Sequence, residues 1–175
     1  LPLKARDQSG TVLYTGTVSK TLAAGLRLGW LAGPEPVVER LGDVKMQTDY
    51  GTSSLSQWAL TEWIESGLYD EHLAILRKRL KERREYVLRV LEGCFKGLAA
   101  WNTPAGGFYI WLRLPDGVPT EKLFHLALAE KLLINPGSLY DFAKNPYIRI
   151  SYAFAPLAAL DRGLVRLAEL VRSLQ

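Results

Sequence analysis

The chain has 175 residues, 48% of them hydrophobic, a formal net charge of +4 and one cysteine. That length suits one domain with a real core or parts of two, and the composition is that of a soluble globular protein. No apolar run approaches the ~20 residues a membrane helix needs, and the lone Cys94 excludes an internal disulfide framework and fits a reducing, cytoplasmic compartment. The start, Leu1-Pro2-Leu3-Lys4, has neither an initiator methionine nor a secretory apolar core, so the chain reads as a piece of a longer polypeptide.

Thr11 to Thr15 is β-branched and aromatic enough for a strand, and Leu28 to Ala32 reads as a second, closed by Gly33-Pro34. From Pro36 to about Met46 the spacing of Val37, Val38, Leu41 and Val44 predicts a helix. Thr52-Ser53-Ser54 offers an N-cap for another, with Leu55, Ala59, Leu60, Trp63 and Ile64 on its apolar face. A long basic helix follows from about Tyr69 to Gly93. Its charges, densest at Arg77-Lys78-Arg79-Leu80-Lys81-Glu82-Arg83-Arg84-Glu85, suit a solvated face more than a nucleic-acid surface, since no aromatics are interleaved, and this segment alone does not make the chain a DNA binder.

After Gly97 the pattern changes. Ala99-Ala100-Trp101 leads to a turn at Thr103-Pro104-Ala105-Gly106-Gly107, and then Phe108, Ile110, Leu112 and Leu114 alternate with Tyr109, Trp111 and Arg113 as in a strand. Thr120 can cap a helix bearing Leu123, Phe124, Ala127 and Leu128. Leu132-Leu133-Ile134 is a short extended run, Tyr147 to Ala153 a further strand, and Leu157, Leu160, Leu164, Leu167, Val171 and Leu174 mark a terminal amphipathic helix. The expected class is α/β, with a small α+β domain at the C-terminal end. Residues 1–66 hold only two strands, too few for a self-sufficient parallel sheet, and read as the remnant of a larger domain; 67–97 form a bridging helix and 98–175 the small domain.

The chemistry concentrates in Thr15-Gly16-Thr17-Val18-Ser19-Lys20-Thr21, followed by Gly25-Leu26-Arg27-Leu28-Gly29. A lysine beyond a strand-like run, two hydroxyls before it and an arginine seven residues on make the grouping a pyridoxal phosphate site requires. The cofactor's aldehyde needs an amine, and its phosphate needs hydroxyl donors and a cation. His72 and His125 lack companions at metal-ligand spacing, and no nucleotide fingerprint, nucleophile elbow or zinc pattern occurs. Arg149 alternates with Ile148 and Ile150, which also suits a solvent-facing strand arginine; Thr17 and Ser19 also suit a turn that satisfies its own backbone; Trp111 and Tyr140 read as packing residues.

The segment Gly16-Thr17-Val18-Ser19-Lys20-Thr21-Leu22-Ala23-Ala24-Gly25-Leu26-Arg27-Leu28-Gly29-Trp30 closely resembles the lysine motif of fold-type I aminotransferases. Further segments resemble other stretches of the same family at matching distances: Ser53-Ser54-Leu55-Ser56-Gln57, Gly67-Leu68-Tyr69-Asp70-Glu71-His72-Leu73, Arg83-Arg84, Pro104-Ala105-Gly106-Gly107-Phe108-Tyr109-Ile110-Trp111, Pro136-Gly137 and Ile148-Arg149-Ile150-Ser151-Tyr152-Ala153. In detail the chain is most similar to the aminotransferase-like effector domain of MocR-type regulators of the GntR family.

The resemblance implies that Lys20 carries pyridoxal 5'-phosphate and shuttles a proton, that Thr17, Ser19 and Arg27 grip the phosphate, and that Arg149 clamps the carboxylate of an amino acid or 2-oxo acid. Gly25 and Gly29 would permit the tight path back to the phosphate, and Ala24 stands where most relatives have proline. It further implies a homodimer, DNA contact only through a winged-helix domain lying outside this chain, and cofactor contacts supplied by a missing N-terminal half. Three readings therefore stand at this stage: the sensing part of a transcription regulator, a piece of a class I/II aminotransferase, or a piece with no activity alone.

Overall fold

The computed structural model describes residues 1–141 and 145–175. It divides into two compact units, Leu1–Leu76 and Arg77–Gln175, which are described in turn. Among the described residues no helix is long and apolar enough to cross a membrane.

The first unit begins with a single 3-10 turn, Leu3–Arg6, closed by Asp7. The Asp7 carboxylate accepts from the Lys4 ammonium at 2.8 Å and from the backbone N–H groups of Ser9, Thr11 and Val12 at 3.1–3.2 Å. Lys4 is the main cause of an Asp7 pKa well below the usual carboxylate range; desolvation opposes it and the N–H donors of Val12 and Thr11 reinforce it. The same clasp moves the first strand. Thr11 and Val12 spend their N–H groups on a side chain, so ladder pairing starts later than the sequence predicts.

That strand, β1, is Tyr14–Thr17, and it pairs antiparallel with β2, Gly29–Ala32, in the register Tyr14↔Ala32 to Thr17↔Gly29. Helix α1, Glu35–Thr48, carries proline in its first turn, where a missing N–H costs nothing. Helix α2, Ser54–Glu65, starts where the sequence predicts, with the Ser53 side chain accepting from the Ser56 N–H at 3.3 Å. Neither helix has a buried residue. Val18 and Leu28 alone are buried in this unit, whereas Leu55 and Trp58 are 72% and 62% exposed.

Helix α3, Leu68–Phe95, runs across the division between the units. Within the second unit its buried residues Val87, Leu91 and Phe95 recur every four positions, the spacing of one helix face. They join a core with a four-stranded, wholly antiparallel sheet of order β3-β4-β6-β5: Ala100–Trp101, Tyr109–Arg113, Tyr147–Ser151 and Asn135–Pro136. Ile110, Leu112, Ile148 and Ile150 point to the core side with α4, Thr120–Ala129, and α5, Leu157–Arg172. The opposite face carries Tyr109, Trp111, Arg113, Tyr147, Arg149 and Ser151, as strand alternation requires.

Polar ties hold the loops. Arg83 donates to the carbonyls of Tyr152 (2.7 Å) and Ala155, Arg84 to that of Pro104 at 2.8 Å, and the Tyr152 hydroxyl to that of Gly107 at 2.6 Å. Gly107 sits at φ +85°, so the Gly106-Gly107 turn is structural. Arg166 grips Glu130 with two bonds of 2.5 and 2.6 Å, joining α5 to the end of α4. Cys94 donates to the Val90 carbonyl at 3.0 Å, and burial pushes its thiol pKa up.

Two further expectations differ. Thr120 is not a cap but the first residue of its helix; Pro119 stands at the cap, and its carbonyl takes the Leu123 N–H at 2.9 Å. Leu132–Ile134 lies outside the sheet, because the Leu132 N–H closes the preceding helix on the Ala127 carbonyl at 2.9 Å and Lys131 turns the chain at φ +63°. The strand begins only at Asn135.

Leu91→Ala is expected to lower the unfolding free energy of the second unit by about 2–5 kcal/mol in urea titration, as for other buried leucines. The Asp7 clasp has a depressed folded pKa, so its contribution is complete above the unfolded value of about 4 and is lost as pH falls through the lower folded value. Amide exchange at Thr11 and Val12 should stay slow on acidification to about pH 4 and quicken only below it; Asp7→Asn should quicken it already at neutral pH.

Candidate functional site

Lys20 lies in a turn wound around Val18. The Val18 carbonyl receives the N–H groups of Thr21, Leu22 and Ala23 at 3.2, 2.8 and 3.2 Å, and the Val18 N–H donates to the Leu28 carbonyl at 3.2 Å. Val18 is 1% exposed, Leu28 6%, and Lys20 itself is exposed. A buried apolar residue thus anchors the segment while the amine two positions on faces solvent.

The Thr17 hydroxyl donates to the same Leu28 carbonyl at 2.9 Å, accepts from the Ser19 N–H at 3.1 Å and lies 3.1 Å from the Ser19 hydroxyl. Its single proton is spent on the turn, which accords with the turn-building reading of Thr17. The half-buried Ser19 hydroxyl shares its 3.1 Å contact with the Thr17 hydroxyl and can rotate its proton to another acceptor. Arg27 adopts the left-handed region at φ +54° and donates from Nη1 to the Ala24 carbonyl at 3.2 Å, leaving its remaining donors outward on an exposed side chain. An arginine held at a backbone angle that favours glycine stores strain of about 1–3 kcal/mol, a cost that clusters at working sites.

The glycines divide. A Cβ on Gly29 would stand 2.9 Å from the Gly16 carbonyl oxygen, and one on Gly16 would strike the Trp30 indole at 2.3 Å. Gly25 has open space around it and no positive φ, so the tight path belongs to Gly16 and Gly29 and the unusual angle to Arg27.

Two residues to which the sequence assigns no site role hold the far side of this turn. The Tyr69 hydroxyl is 2.9 Å from the Thr21 hydroxyl, and His72 Nε2 is 2.8 Å from the Thr21 carbonyl. Both side chains come from the first turns of α3, three residues apart and so on one face. The Trp63 ring meets the His72 ring edge-on at 5.9 Å. His72 is therefore a tether for the residue after Lys20. Only the 48- and 51-residue separations hid it.

Arg149 belongs to the second unit, on β6 opposite Trp111 of β4. Its guanidinium carbon lies over two rings, 3.9 Å from the centre of Tyr109 and 4.5 Å from that of Tyr140. Trp111 meets Tyr140 edge-on at 5.4 Å and Tyr147 at 6.3 Å. Nε of Arg149 is buried without a hydrogen-bond partner, and among the described residues no carboxylate lies within 4 Å of the guanidinium. This is a half-buried cation held by aromatic faces, not the solvent-facing strand arginine that alternation alone also permits. Trp111 and Tyr140 do pack, and what they pack around is this charge.

Residues 2–167 match the family model described as aminotransferase class I and II. The HTH-type transcriptional regulator YisV of Bacillus subtilis strain 168 is 50% identical over 173 residues, 99% of this chain and 36% of its own length. NorG, an HTH-type transcriptional regulator of Staphylococcus aureus, is 38% identical, with 97% of this chain and 38% of its own length covered. The chain thus spans little more than a third of these relatives. Among solved structures, a multiple substrate aminotransferase from Thermococcus profundus superposes with a TM-score of 0.93 at 30% identity, covering 98% of this chain and 43% of that one. A Pyrococcus horikoshii kynurenine aminotransferase, solved with PMP, gives 0.92 at 30% identity, covering 97% and 43%.

A net hydrogen bond contributes about 0.5–1.5 kcal/mol. Tyr69→Phe and His72→Ala should each therefore quicken amide exchange at Leu22 and Ala23 by roughly two- to tenfold, while amides of the second-unit sheet stay unchanged.

Proposed function

Because the chain belongs to the aminotransferase class I and II family, we propose that it is part of the pyridoxal phosphate-binding effector domain of a MocR-type transcription regulator. In that role an amino acid or 2-oxo acid at the domain biases DNA contact made by a helix-turn-helix domain elsewhere in the parent polypeptide. The observation that carries the reading is the turn around Val18, which offers an exposed amine at Lys20, a rotatable hydroxyl at Ser19 and an exposed guanidinium at Arg27 within nine positions. The regulator half of the reading rests on YisV and NorG, both HTH-type transcriptional regulators.

The donor set fits the cofactor by chemistry. When bound, pyridoxal phosphate supplies an aldehyde that condenses with amines and a ring that withdraws electrons from the atoms joined to it. Lys20 Nζ is the group that would attach it and, when released, take a proton from the substrate Cα. Ser19 and Arg27 would hold the phosphate by hydrogen bonds, the guanidinium adding charge, with Thr17 keeping both the turn and the Ser19 hydroxyl in position. Arg149 would receive the carboxylate of the amino acid or 2-oxo acid.

The proposed division of labour follows the sequence: residues 1–66 as large-domain remnant with the lysine, 67–97 as bridge and 98–175 as small domain. The two-stranded β1–β2 sheet has open edges, and α1 and α2 have exposed apolar side chains, which supports a homodimer as the working state. The partner contacts of the cofactor ring would come from parts of the parent outside these 175 residues. This chain alone is accordingly expected to bind pyridoxal phosphate weakly and to give no useful transamination.

Absorption spectra recorded on titrating the chain with pyridoxal phosphate test this. The expected result is a weak band near that of ordinary lysine adducts, with no turnover on adding an amino acid and 2-oxo acid. A tight, saturable band with turnover, both lost in Lys20→Ala, would instead make this piece an aminotransferase in its own right. Reading the coding sequence upstream of Leu1 separates the two parents: a basic winged helix-turn-helix for the regulator, an aminotransferase N-terminal arm for the enzyme.

A further inference from the structure

We propose that Tyr109 and Tyr140 are positioning residues for Arg149: they hold its guanidinium through their ring faces, so that its N–H donors stay unspent for an incoming carboxylate. The inference rests on the carboxylate role proposed for Arg149 and adds what makes that role work.

A strand arginine is ordinarily fixed by hydrogen bonds or ion pairs, and each bond that fixes it consumes a donor. Arg149 is fixed differently. Tyr109 and Tyr140 lie 3.9 and 4.5 Å from its guanidinium carbon, within the range of cation–π attraction. Among the described residues it has no carboxylate neighbour, and Nε is buried without a partner. The planar fork can be gripped by its faces while its edge remains open, which an ammonium cannot offer.

The grip is itself supported. Tyr109 is on β4, whose next outward residue, Trp111, pairs with Arg149 across the ladder and meets the Tyr140 ring edge-on at 5.4 Å. Tyr147, two positions before Arg149 on β6, meets Trp111 in turn at 6.3 Å. Tyr140 follows a 3-10 turn, Gly137–Leu139, in which a Cβ on Gly137 would collide with the Asn145 side chain at 1.9 Å. Tyr109 and Arg149 also line a cavity whose other walls include Leu132, Ile134, Phe154 and Leu160. An apolar group attached to the carboxylate would have room there.

The Arg149 Nε–H signal of the isotope-labelled 175-residue chain reads this directly. The probe is 3-phenylpropanoate, with 3-phenylpropan-1-ol as its carboxylate-free counterpart. A saturable shift with the acid and none with the alcohol is expected. Tyr109→Leu and Tyr140→Leu should each weaken that binding by about three- to fivefold, and Tyr109→Phe and Tyr140→Phe, which keep the rings, should stay within about twofold. Unchanged amide spectra of the core strands establish that each variant is folded. Equal binding by the leucine variants overturns the positioning role alone, as does equal loss in the phenylalanine variants, which would put the effect in the hydroxyls. An acid that leaves the Arg149 signal still in the unaltered chain, or an alcohol that moves it as far, removes the carboxylate role and this proposal with it. Neither result bears on Lys20, whose absorption test stands apart.

Discussion

The first unit's chemistry depends on the two backbone groups of Val18. Its carbonyl gathers the amides of three following residues, and its N–H reaches the Leu28 carbonyl, which also receives the Thr17 hydroxyl. Two apolar side chains buried in an otherwise open unit secure these bonds against water. The result is that an exposed lysine sits on a fixed backbone instead of a loose loop.

The lysine turn was largely legible because it is local: Lys20, Ser19, Thr17 and Arg27 lie within eleven consecutive positions, and spacing carries the grouping. The core of the second unit was legible for a similar reason. Alternation from Phe108 to Leu114 and the period of α5 each declare a face without knowing what covers it. What stayed hidden required a partner far along the chain or a side chain competing for backbone. Nothing near His72 announces that its ring reaches Thr21, and nothing in Tyr140 announces Arg149. Asp7 displaced the start of β1 by capturing amides that a β-branched run would otherwise offer to a neighbouring strand. Lys131 took a left-handed turn that sequence rules assign to glycine, and so delayed β5.

The two units differ in how they are held. Arg77–Gln175 has a continuous core in which three helices cover one side of an antiparallel sheet, and arginine-to-carbonyl bonds pin its loops. Leu1–Leu76 is organised by hydrogen bonds around one hairpin and by side-chain clasps at Asp7 and Ser53, with its helices offering apolar side chains to their surroundings.

Cys94 gives the protein a practical property. Its sulfur is bonded to the Val90 carbonyl and its thiol is discouraged from ionising, so the reactive thiolate is scarce near neutral pH. A maleimide or iodoacetamide dye would meet little background from the native chain. A cysteine introduced on an exposed helix position, Trp58 or Leu55 for instance, could then be labelled site-selectively without first replacing the natural one.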